Sequence, residues 1–125
     1  MEHRIEIEEH VSQRMAHVYI LGTLSEAERV HIGTEIAHLC KENNINKVIF
    51  DVREAKLGYS LIRSHQAILT LSDLGMLKSD YGAVIYFHNK EQFEHAKTVA
   101  VNRGIHNVGF FQNIDEGIEW LAGKS

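Results

Sequence analysis

"KVIFDVREAKLGYSLIRSH", residues 47–65, decides the fold. Val48, Ile49 and Phe50 form an apolar run too short for a helix. With no polar residue inside it, the run predicts a strand buried on both faces and central in its sheet. Asp51 and Arg53 follow, the stretch 52–59 reads as a loop containing Gly58 and Tyr59, and an amphipathic pattern begins at Ser60. Leu61, Ile62, Ile68, Leu69 and Leu71 fall on one arc of a helix that stops near Gly75. A buried strand handing over to a helix through a short loop is the building unit of an α/β protein.

Upstream, "HRIEIEEH" places Ile5 and Ile7 on one side with polar residues between them, the period-two signature of a half-exposed strand at a sheet edge. "AHVYILG", residues 16–22, is a second strand, and the polar "VSQR" between the two is short enough for an antiparallel hairpin. Ser25 and Glu28 have the capping-box spacing, so a helix starts there. Val30, Ile36, Ala37 and Cys40 share its inner face, with Ile32 and Leu39 at the margin and His31, Glu35, His38 and Glu42 opposite. "NNIN", residues 43–46, ends it, because asparagine tolerates the left-handed conformation of a helix terminus.

Downstream, "GAVIYF" (82–87) is another buried strand. A helix follows, with Asn89 as its cap and Gly104 as its stop. "VGFF" (108–111) is a fifth strand, and "NIDEGIEWLAG" is a last helix that turns Trp120 and Leu121 inward. The order β-β-α-β-α-β-α-β-α, without repeat or linker, predicts one domain over residues 1–125. It is a single mixed five-stranded sheet with helices packed on it, its last three strands parallel.

The composition narrows the function. The chain has 125 residues, 44% hydrophobic and 24% charged, so one core suffices and no segment approaches the ~20 apolar residues that span a membrane. The amino terminus lacks a basic head followed by an apolar stretch, which makes the cytoplasm the expected compartment. A net charge of −4, with 13 basic residues scattered among 17 acids, speaks against nucleic acid as a partner. The single cysteine, Cys40, forms no intrachain disulfide and reads as a buried, inert thiol.

In an open parallel sheet, ligands bind where the carboxyl ends of strands meet the following loops. That rule points to Asp51–Ser60, to the residues from His88 to Lys90 and to Phe111–Asn113. Asp51 and Arg53 stand where a ligand-facing carboxylate and cation would stand, although aspartate at a strand end is also an ordinary turn-former. Ser60 reads as the N-cap of its helix or as a phosphate acceptor, since a phosphoserine at a helix start meets free backbone amides. Tyr59 is an aromatic gate or a half-buried ring. His65 falls inside the apolar arc of the second helix, as a core histidine near the proposed edge, and His88 is the histidine best placed for a functional role.

Nine histidines raise the question of metal. There is no H-E-x-x-H, and His31 and His38 share a helix face with Glu35 and Glu42, so a solvated surface accounts for them and neither a metal nor a cofactor is expected. Ser60, His88 and Asp51 are catalytic residue types, but no G-x-S-x-G elbow, phosphate loop or dinucleotide fingerprint accompanies them, and the chain reads as non-enzymatic.

"LGTLSEAE" after the second strand, "VIFDVREAKLGYS" after the first helix and "NRGIHNVGFFQNIDEGIEWL" at the end resemble the STAS-like family. Within it, the likeness is to the SpoIIAA-like branch related to the sporulation anti-sigma-factor antagonist. The resemblance implies a helix-covered sheet and a role in binding and regulation through a protein partner such as a kinase or an anti-sigma-like regulator. It also implies a phosphorylated serine at the position of Ser60. The family's switch turn reads Asp-Ser-Ser-Gly or Asp-Thr-Ser-Gly, where this chain has Gly58-Tyr59-Ser60-Leu61.

The expected function is thus a regulatory module that contacts a protein through Asp51, Arg53, Gly58, Tyr59, Ser60, His65 and His88. The alternative is a small apolar-ligand or lipid binder of CRAL-TRIO-like fold, its cavity between the sheet and the second helix. The edge strand carrying Ile5 and Ile7 adds a homodimer to the expected partners.

Overall fold

Alternation of side chains dictates the first pairing. The structure, a computed structural model, describes residues 2–57 and 80–124. Strand β1 (Glu2–His10) runs antiparallel to β2 (Gln13–Leu24), with Ile5 opposite Val18 and Glu8 opposite Met15. Only Val11 and Ser12 connect them, both at positive φ (51° and 60°), the handedness a two-residue hairpin turn needs. The expected four-residue turn is therefore shorter, and Gln13 and Arg14 belong to β2.

Helix α1 (Glu26–Asn43) begins with the expected cap: the Ser25 hydroxyl accepts from the Glu28 amide and donates to the Glu28 carboxylate at 2.8 Å. It ends at Asn44, at φ 55°. Its inner face differs from the expected one. Ile32, Ile36 and Cys40 are buried together with Arg29 and Gly33, whereas Val30 is 43% exposed. At 100° per residue, Val30 lies a quarter-turn outside the arc that Arg29, Ile36 and Cys40 centre.

Strand β3 (Lys47–Leu57) is central, in the sheet order β1-β2-β3-β4-β5. It pairs in parallel with β2 on one side and β4 (Tyr81–Ile85) on the other, and β4 pairs in parallel with β5 (Val108–Phe111). The strand runs further than "KVIF". Tyr19 faces Asp51 and Leu21 faces Glu54, so Val52 and Arg53 stand against Ile20 alone. That irregularity absorbs one residue, and pairing resumes from Glu54 to Leu57. Residues 52–57, expected as loop, are strand, and Asp51 lies within it.

Two cores result. On one face Val18, Val48, Phe50 and Val84 pack beneath α1 and α2 (Lys90–Asn102), with Phe93 and Phe110 in the same cluster. On the other, Met15, Ile49, Ala83 and Ile85 pack beneath α3 (Ile114–Ala122) through Leu121, with Trp120 against the cluster. Gly117 lets α3 approach β4 closely, because a Cβ there would meet Ile85 Cδ1 at 2.5 Å. Asn113 caps α3 by accepting from two backbone amides, but Asn89, itself at φ 58°, makes no side-chain cap bond to α2. The second expected helix, over residues 61–75, lies outside the described residues.

Candidate functional site

The alternation that buries Met15 and Ile49 beneath α3 carries polar residues onto the same face nearer β1. His17 and Tyr19 follow Met15 along β2, Glu8 and His10 stand on β1, and Asp51 follows Ile49 on β3. The hairpin register brings them together. His17, 2% exposed, bridges two carboxylates, with Nδ1 2.8 Å from Glu8 Oε1 and Nε2 2.9 Å from Asp51 Oδ2. The bridge is complete when both ring nitrogens carry protons, since a carboxylate only accepts. Tyr19 donates to Glu8 Oε2 at 2.6 Å, and its ring lies parallel to that of His17 at 3.8 Å. His10 Nε2 also meets Glu8 Oε1 at 2.8 Å.

Arg53 completes the array from the irregular step in β3. Its Nε and a terminal nitrogen donate to the two Asp51 oxygens at 2.8 and 2.6 Å, the forked geometry that a guanidinium and a carboxylate favour. Burial alone would raise the Asp51 carboxyl. The bonds from Arg53 and His17, the Arg53 amide and the guanidinium charge outweigh it and hold the group well below the usual carboxylate range. The hydrogen bond to Asp51 in turn raises Arg53. Glu8 follows the same balance: burial raises it, but bonds from Tyr19, His10 and His17 bring it down to about 2. Burial, reinforced by the bond to Glu8 and its charge, pushes Tyr19 up to about 12.

This array forms one wall of an open cleft of about 380 Å³, lined by Arg4, Tyr19, Leu21, Asp51, Arg53 and Phe87 among others. The Arg4 guanidinium is 4.4 Å from the centre of the Tyr19 ring, and that of Arg53 is 6.0 Å from the centre of Phe87, itself 58% exposed. The cleft opens where β2 passes its irregular step and β4 ends, while β2 and β3 run on beyond it.

Of the expected site residues, the structure brings Asp51 and Arg53 together. Asp51 is buried at 6% side-chain exposure, whereas Arg53, at 29%, is the member of the pair that reaches the surface of the cleft. His88 is exposed in the bend between β4 and α2, outside the cleft lining. Gly58, Tyr59, Ser60 and His65 lie outside the described residues. His38 pairs with Glu42 at 2.9 Å on the exposed face of α1, as a solvated stripe should.

The residues that sequence reasoning missed are Arg4, Glu8, His10, His17, Tyr19 and Phe87. The signal for most of them was the period-two placement of Arg4, Glu8 and His10 in one strand and of His17 and Tyr19 in the next. Only the register of the hairpin, set by its two-residue turn, superimposes the two rows. Glu8, His10 and His17 also bring three donor atoms within 4.8 Å of one another, a grouping with the chemistry to hold a cation.

The sheet order and the helices on both of its faces define an α/β protein of SpoIIAA-like fold. The chain is similar to the crystal structure of an uncharacterised protein of the DUF3478 family, with a SpoIIAA-like fold, from Shewanella loihica PV-4. That match has a TM-score of 0.62 and 20% identity over 95% of this chain and 93% of that one. It is also similar to the anti-sigma factor antagonist SpoIIAA in its unphosphorylated form, with a TM-score of 0.54 and 11% identity over 96% and 99% of the two chains. No protein-family model and no curated protein matches it.

Proposed function

We propose that this chain is a non-enzymatic, STAS-like regulatory module of the cytoplasm that acts by binding a protein through the Arg53–Phe87 corner. The carrying observation is the preorganised cation. Asp51 holds the Arg53 guanidinium beside the exposed Phe87 ring at the mouth of the cleft. Arginine and large aromatic side chains, fixed before contact, are the residue types that dominate protein interfaces. The fold shared with an anti-sigma factor antagonist supports a protein as the partner. In this reading Gly58, Tyr59, Ser60 and His65, which follow β3, extend the contact surface, and phosphorylation of Ser60 adjusts its affinity.

The test is site-specific photo-crosslinking in the native cell from position 87, with position 101 on α2 as control, because Val101 is exposed on the other side of the sheet. A discrete adduct from position 87 that is absent from position 101 and lost in Arg53→Ala supports the reading. No adduct, or the same adducts from both positions, overturns it. Intact-mass measurement of native protein and Ser60→Ala reports the phosphate.

A second copy of the chain is a further proposed partner, pairing along β1 at the sheet edge. Sedimentation should then show a dimer that Ile7→Lys abolishes. The cavity of the apolar-ligand alternative, between the sheet and the helix expected over residues 61–75, lies outside the described residues.

A further inference from the structure

We propose that Glu8, His10 and His17 form a binding site for a borderline divalent transition-metal cation of the Zn²⁺ class. The inference is independent of the protein-binding reading above, because its residues belong to the hairpin and none of its three donors is needed at the Arg53–Phe87 surface.

The geometry points to it in three ways. First, His10 Nε2 and His17 Nδ1 converge on one atom, Glu8 Oε1, each at 2.8 Å. Two imidazoles aimed at a single carboxylate oxygen mark a position of concentrated electron-pair donors. All three donor atoms lie within 4.8 Å of one another. Ligands about 2.0–2.1 Å from a tetrahedral ion stand roughly 3.4 Å apart, so small side-chain rotations opening each 2.8 Å contact would admit the ion.

Second, two of the three ligands are already held from behind. His17 Nε2 is bonded to Asp51, which Arg53 grips in turn, and Glu8 Oε2 accepts from Tyr19. A ligating histidine whose far nitrogen donates to a carboxylate is the arrangement by which proteins fix the ring and raise its basicity toward a metal. Third, the site is graded from dry to wet. His17 is buried, whereas the His10 side chain is 27% exposed and opens the cluster to solvent. An ion can enter there and complete its coordination with water.

Two imidazoles and one carboxylate, without a thiolate, select Zn²⁺, Co²⁺, Ni²⁺ or Cu²⁺ over Mg²⁺ and Ca²⁺, which prefer oxygen throughout. On binding, the ion takes the lone pairs of His17 Nδ1 and His10 Nε2, and any protons on those nitrogens leave to solvent. The proton on His17 Nε2 stays on Asp51's side of the ring.

The experiment uses the full chain, stripped with a chelator and titrated with Zn²⁺ against a chromophoric competitor, and separately with Co²⁺ followed by its visible spectrum. One equivalent should bind saturably, Co²⁺ should show the intense bands of a four-coordinate site, and Mg²⁺ should not compete. His10→Ala should weaken Zn²⁺ at least 100-fold while leaving the metal-free melting temperature near that of the native chain, since its side chain is part-exposed beside the two-residue turn. Glu8→Gln provides a second variant with the same expected loss. The control His38→Ala, which removes a histidine from the exposed His38–Glu42 pair, should bind unchanged. Weak or multiple binding, binding that survives both His10→Ala and Glu8→Gln, or equal loss in His38→Ala would each overturn the proposal.

Discussion

Removing one carboxylate, in Asp51→Ala, should cost this fold about 3 kcal/mol. The figure follows from which of its partners can reach water. His17 is 2% exposed and stacked on Tyr19, so its Nε2 stays buried without an acceptor, a loss of roughly 1.5–3 kcal/mol for a charge-assisted bond. The Arg53 side chain is 29% exposed and turns to solvent, so its share is roughly 1 kcal/mol or less. Over 125 residues the sum corresponds to a fall of about 10 °C in Tm. Urea denaturation of metal-free protein, followed by far-ultraviolet circular dichroism, measures it as a lower midpoint at unchanged slope. A cycle with His17→Gln isolates the pair and should give a coupling of about 1.5–3 kcal/mol. A loss under about 0.5 kcal/mol for Asp51→Ala, or strict additivity in the cycle, refutes the reasoning, because the bridge would then carry no energy.

Acid should act through Glu8. Its carboxyl is lowered from 4.5 to about 2, so its contribution is fully present above pH 4.5 and lost as pH falls toward 2. The span is worth roughly 3 kcal/mol before solvent screening reduces it, and Glu8→Gln should flatten that limb of a pH-stability curve recorded with chelator. Val11 and Ser12 both hold positive φ without being glycine, so replacing the pair by Asn-Gly should raise stability by about 1–2 kcal/mol in the same denaturation assay. Cys40 is 7% exposed and burial, with a smaller push from Asp80, raises its thiol to about 11. A disulfide reagent at pH 8 should therefore label native protein far more slowly than denatured protein, and equal rates would contradict its placement.

Local chemistry was legible wherever it was self-contained. Ser25 with Glu28, Asn44 at positive φ and the unbroken apolar run of β3 each announce their element without a tertiary partner. The reading stopped where a neighbour decides. Val52 looks like the first residue of a loop because Asp51 and Arg53 flank it. Yet β2 supplies a partner strand out to Leu24, and one irregular step is enough to keep β3 in register with it. Val30 looks like a core residue because hydropathy counts neither Gly33, which is buried, nor the apolar stem of Arg29. The polar array is the extreme case. Glu8, His17 and Asp51 are 9 and 34 residues apart along the chain, and nothing in a single strand says that two others lie alongside in that alignment.

The strands lie side by side in the order in which they are synthesised. Among the described residues no later strand has to wedge between two that have already joined, so a nascent chain leaving the ribosome can complete the hairpin and then add each new strand to an exposed flank. The unpaired border is never wider than one strand during that accretion. The passage from hairpin to finished sheet thus calls for no dismantling of what was built before.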